Sequence, residues 1–102
     1  MAQESNAVTA KAVMIRDRIV STLVDANAGH LPAMIRQVSQ LLVSIRGLAV
    51  SGLPYLLRGE MLLGRLDSTS KTLAEVTLTK WRQAYQSGVE KGDVIKGKFE
   101  HP

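Results

Sequence analysis

At 102 residues the chain suffices for one small domain, in which every large apolar side chain matters to stability. An apolar fraction of 45% excludes disorder, and with only Tyr55, Trp81, Tyr85 and Phe99 as aromatics the core falls to aliphatic side chains suited to helix packing. The absence of cysteine excludes disulfides, thiolate metal sites and cysteine nucleophiles. The net charge of +4 is modest and concentrated in residues 28–66, which hold four arginines against one glutamate, whereas a dedicated nucleic-acid binder gathers more.

The opening residues lack the basic-then-apolar order of a signal peptide, so a cytoplasmic location is the expectation. Ser5 suits the cap of a first helix ending near Ala26. Val8, Ala12, Ile15, Ile19 and Ala26 follow a helical rhythm completed by Thr22, while Lys11, Arg18 and Asp25 mark a solvated edge. "NAGHLP" (27–32) then provides a glycine stop and a proline start.

A second helix over about 32–51 has the clearest period in the chain. Met34, Val38, Leu41, Ile45 and Leu48 recur at alternating steps of four and three, flanked by Ile35, Leu42 and Ala49, and cover an arc of about 100°. Val43 and Val50 fall on the far side, seven apart, where a partner helix would sit. Ser51-Gly52 closes this helix, and Pro54 opens a third of about a dozen residues. There Leu56, Leu57, Met61, Leu62, Leu63 and Leu66 nearly encircle the axis, and only Arg58 and Arg65 define a polar edge. Such a helix belongs at the centre of a bundle or of a dimer. "LPAMIRQVSQLL" (31–42) and "LPYLLRGEMLLG" (53–64) share a helix-start solution rather than a repeat.

The polar "DSTSKT" (67–72) either separates a fourth helix or forms a solvated turn within one long helix, and Thr72 with Glu75, placed for a capping box, favours a fresh start. Ala74, Leu78, Trp81 and Tyr85 give that helix its apolar stripe, and it is expected to end near Gln86. After Gly88 glycines multiply, and Val94, Ile95 and Phe99 suit a short strand or an arm lying on another surface, with a frayed, disordered terminus as the alternative.

Four sequence motifs invite a functional reading and fail on physical grounds. Gln37 to Leu57 is long enough to span a bilayer, but Arg46 sits at its centre among glycines, a proline and serines, and the one-sided period is one that lipid does not require. "GEMLLGRL" (59–66) has the glycine spacing of a phosphate loop but lacks the Lys-Ser/Thr that holds phosphate and magnesium. "AYQSGVEKGDVI" (84–95) places Ala84, Gly88, Val89 and Val94 at helix-turn-helix offsets. The second helix would then contain Gly92 and Gly97, each costing about 1 kcal/mol. "GDVIKGKF" (92–99) resembles the opening strand of S1-type RNA-binding domains, a barrel that needs four further strands, so the likeness implies a basic strand-like tail and no domain.

Neither His30 nor His101 has a second ligand at helical spacing, the serines lie where helix capping explains them, and no paired carboxylates share an apolar face. No catalytic, cofactor or metal site is therefore expected.

These features predict an all-α fold: an up-and-down helical bundle of three long helices plus one shorter helix over residues 1–87, completed by dimerisation. An irregular or strand-like C-terminal arm follows over 88–102. The expected function is that of a small non-enzymatic interaction protein, an adaptor, chaperone or inhibitor, acting as a homodimer through a helical face. Val43, Val50, Trp81 and Tyr85 are its candidate contacts, although burial in the core is the simpler explanation for Trp81 and Tyr85. The alternative is a nucleic-acid-binding regulator in which Lys80, Arg82, Lys91, Lys96 and Lys98 meet phosphates, a field diluted by Glu90, Asp93 and Glu100. A third class is an enzyme subunit whose site forms only at an oligomer interface.

Overall fold

Among the described residues six helices follow one another: α1 (Ala2–Val24), α2 (Leu31–Ser39), α3 (Ile45–Ser51), α4 (Leu53–Arg58), α5 (Glu60–Leu63) and α6 (Ser68–Glu90), with one 3-10 turn, Ala28–His30, leading into α2. The structure is a computed structural model that describes residues 2–25, 28–41, 44–92, 94, 96–97 and 99–100, and no strand occurs among them.

The two outer elements, α1 and α6, have 23 residues each and so run for about 35 Å. They scarcely touch each other. Instead α2, α3 and α4 lie between them, and each packs on both. Layering of this kind explains which apolar residues disappear from solvent. Ala12, Ile15 and Ile19 of α1 face inward on the stripe the sequence predicts, and Ala74, Leu78 and Trp81 do the same from α6. Leu31, Ile35, Val38, Leu48, Leu53, Leu57 and Leu62 fill the space between, and Phe99 closes one end. A radius of gyration of 13.3 Å is that of a close-packed chain of this length.

Two long helices thus replace the expected three, because the unbroken apolar period over 34–48 does not correspond to one axis. The Ser39 hydroxyl donates to Arg36 O at 2.7 Å, and the N–H groups of Gln40 and Leu41 donate three residues back, tightening and ending α2. Ser44 then takes an extended conformation, and its hydroxyl accepts the Gly47 N–H at 3.0 Å, which starts a new helix. Freed from a common axis, α2 packs chiefly on α6 and α3 chiefly on α1.

The next corner is made by Ser51 and Gly52. Gly52 has φ +77°, a left-handed conformation that costs other residues about 1–2 kcal/mol. Ser51 is fully buried. Its hydroxyl donates to Leu48 O at 2.7 Å and accepts from Leu53 N–H at 3.2 Å, so one side chain ties the end of α3 to the start of α4.

The expected third helix is interrupted as well. Gly59 is extended, with its N–H closing back on Leu56 O, so α4 and α5 have separate axes. Leu57 and Leu62 remain in the core, Leu56, Leu63 and Leu66 are half-buried, and Met61, predicted to be interior, is 77% exposed. The apolar surplus that suggested dimerisation through this helix is largely absorbed within one chain. Arg65 completes the region by donating to Leu23 O at 2.6 Å, placing a cation at the C-terminal turn of α1, where helix carbonyls are unpaired.

Neither long helix starts where the sequence suggested. α1 begins before Ser5 and ends at Val24, and α6 is capped by Asp67 rather than Thr72. An Asp67 carboxylate oxygen accepts the Ser70 N–H at 3.1 Å. Hydrogen bonds from Ser70, its side chain first and then its backbone, hold the exposed Asp67 carboxyl below its ordinary value of 3.8. At its far end α6 continues to Glu90, and the residues described beyond it form turns and bends in place of a strand.

Two predictions follow from this packing. Leu57→Ala should lower unfolding free energy by about 2–5 kcal/mol in urea titrations, whereas Met61→Ala should change it by less than about 0.5 kcal/mol. Equal costs would place Met61 in the core. Because the Asp67 pKa is lowered on folding, its contribution is complete above about pH 4 and disappears as pH falls through the depressed value. Asp67→Asn, which keeps a capping oxygen but does not titrate, should flatten the acid limb of the stability–pH curve. An unchanged acid limb would show that the cap carboxylate does not contribute.

Candidate functional site

Every apolar residue that stays exposed beside the α3–α4 corner is the sequence neighbour of a buried one. Val20 follows Ile19 in α1, Val50 precedes the buried Ser51, and Tyr55 follows the buried Pro54. One step along a helix turns a side chain by about 100°, so these residues sit at the rim of the core-facing stripe. Three separate segments thereby deliver Val20, Val50 and Tyr55 to one groove of about 270 Å³, with Leu56 also lining it. Val50 is 69% exposed, Tyr55 45% and Val20 41%.

Arg16 forms the polar border of this groove. Its aliphatic stem lies over Gly52, where an added Cβ would stand 3.5 Å from Arg16 Cδ. Its guanidinium turns outward to Asp17, with Nε and Nη2 donating to Oδ1 at 3.0 and 2.8 Å. Charges of both signs therefore stand side by side at the edge of an apolar depression.

Of the contact residues expected from sequence, only Val50 lies in the groove. Val43 is outside the described residues. Trp81 is buried between the layers, and Tyr85 is half-buried beneath the C-terminal segment. Val20 and Tyr55 join Val50 there without belonging to the contacts that the residue pattern predicts. Val20 is an apolar residue just off the main stripe of α1, a signal legible in the sequence, whereas Tyr55 reaches the groove through the corner at Gly52 from which α4 begins.

The C-terminal segment folds back along α6. Phe99 stacks on Tyr85 with ring centroids 4.8 Å apart and planes 12° from parallel, and the Gly97 N–H donates to the Tyr85 hydroxyl. Arg82 holds Glu100 through two bonds, Nε to Oε2 at 2.8 Å and Nη2 to Oε1 at 2.7 Å, which pushes the guanidinium pKa above its already high ordinary value. Gly88 admits Val94, since a Cβ there would stand 3.2 Å from Val94 Cγ2. The small-residue crossing that suggested a helix-turn-helix thus exists, but no helix follows it among the described residues.

Among the described residues the candidate phosphate-binding cations do not form one patch. Lys80 and Arg82 are two residues apart on a helix and point to opposite sides, and Arg82 is engaged by Glu100. Lys91 lines a different hollow near the end of α6, Lys96 is exposed on the tail, and Lys98 is outside the described residues. His30 is exposed at the start of α2 and caps nothing with its side chain, while His101 is not among the described residues. No group of three metal-ligating side chains occurs among the described residues, and no helix there is long and apolar enough to cross a membrane.

The chain matches no protein-family model, and neither a curated protein nor a solved structure matches it.

The tail contacts can be tested directly. Tyr85→Phe removes the acceptor of the Gly97 N–H and retains the ring stack, so exchange of the Gly97 amide should accelerate while the unfolding midpoint stays close to wild type. Unchanged exchange would mean that this hydrogen bond does not hold the tail.

Proposed function

We propose that the protein is a small non-enzymatic interaction protein that pairs with a second copy of itself through the groove between α1 and the α3–α4 corner. The observation that carries this reading is the convergence of Val20, Val50 and Tyr55, exposed and apolar, from three separate segments. Scattered apolar residues are ordinary on a surface; a shared depression lined by them is the mark of a contact site.

A second copy is the occupant favoured by the charges at the rim. Two-fold pairing sets a patch against itself, so a border of one sign would repel its copy. Arg16 and Asp17 are adjacent and opposite, and exchange of partners across a two-fold axis leaves both satisfied. A standard interface takes roughly 800 Å² from each partner, so the contact extends beyond the groove itself. One turn beyond Val20, Val24 is 78% exposed on the same side of α1 and extends the apolar contact.

Light scattering coupled to size-exclusion chromatography should find a dimer at micromolar concentrations. Val50→Asp and Tyr55→Ser should each shift the equilibrium to monomer without changing helical circular dichroism. A wild-type chain that stays monomeric to millimolar concentration overturns self-pairing, and a dimer indifferent to both substitutions places the contact elsewhere.

A further inference from the structure

The other end of α3 borders a second hollow, with a volume of about 540 Å³, within the range of small-molecule sites. Its walls are the start of α3, the last turns of α6 and the segment beyond, and its lining divides by chemistry. Arg46 and Lys91 supply two cations, and Ser44 and Ser87 supply two hydroxyls. Ile45, Gly88 and Val94 supply an apolar surface, and no carboxylate lines the hollow among the described residues. We propose that this cleft binds a small amphipathic anion, a phosphate or carboxylate head carried on an apolar body.

The arrangement suits both halves of such a ligand. The Ser44 hydroxyl already accepts the Gly47 N–H, which leaves its own proton to donate to an incoming oxygen. Arg46 presents a guanidinium with five N–H donors, so a neighbour within the protein does not exhaust it, and Lys91 adds a mobile ammonium. Gly88 matters because it has no side chain. Val94 closes down on the helix backbone there, and the two make a flat apolar wall beside the charged rim. Head and body are both required for recognition, since exposed cations alone hold an anion weakly in water and the apolar lining alone does not select charge.

The test uses the whole chain and four probes: hexyl phosphate, hexanoate, hexanol and inorganic phosphate. Amide shifts are followed by NMR. Hexyl phosphate or hexanoate should saturate shifts at Ser44, Arg46, Gly88 and Lys91, and the comparison between them identifies the head group. Hexanol and inorganic phosphate should each bind at least about tenfold more weakly than the better of the two. Arg46→Gln and Lys91→Gln, both at exposed positions, should each weaken binding about threefold to fivefold with the unfolding midpoint unchanged. Equal binding of hexanol, shifts located elsewhere, an absence of saturation, or indifference of the double variant overturns the assignment. A short single-stranded oligonucleotide serves as a fifth probe. Tighter binding of that strand, with shifts spreading to Lys80 and Lys96, overturns the small-molecule reading in favour of a polynucleotide.

Discussion

Between α3 and α4 a hydroxyl with no access to solvent receives a hydrogen bond from one helix and gives one to the other. Ser51 thereby satisfies two backbone groups that a sharp turn inside the core leaves unpaired, and an unpaired buried carbonyl or N–H costs about as much as the hydrogen bond it lacks. With Gly52 supplying the left-handed residue, α3 ends and α4 begins across a single position. Leu48 on one side of the turn and Leu53 and Leu57 on the other can then all enter the same core. The middle layer, and the separation of α1 from α6 that it maintains, depend on this corner.

Helices of four to nine residues are too short to persist alone in water, so α2 to α5 exist because the long helices pack against them. Their ends accordingly become surface features. α3 has seven residues and is about 10 Å long, and its two ends border the two hollows of interest, the apolar groove at Val50 and the cationic cleft at Arg46. A shift of this one short element would alter both hollows, because it has little hydrogen bonding of its own with which to resist its neighbours.

The C-terminal segment is held differently. A ring stack, a bidentate ion pair and a hydrogen bond to a tyrosine hydroxyl fasten it to one side of α6, and among its described residues Phe99 alone is drawn fully into the core. Exposed polar fastenings contribute little stability each and are screened by salt, so the buried phenyl ring supplies most of the attachment. Val94 belongs both to this segment and to the wall of the cleft, which links the tail to that hollow.

From the sequence alone came the helical class, the inward stripe of α1, the stripe of α6, the proline start of α2 and the turn at Ser51-Gly52. Each is a local property, legible in residue period and backbone preference. Tertiary structure alone decided that the period over 34–48 is divided between two axes, that Met61 leaves the core, that Asp67 caps α6, and that Val20, Val50 and Tyr55 share a groove. A periodic pattern records which side of each turn is apolar, but it does not record the direction of the axis or the identity of the packing partner. Serines at 39 and 44 can close one helix and open another without disturbing the apolar count, and the surface where separate segments meet exists only once those axes have been set.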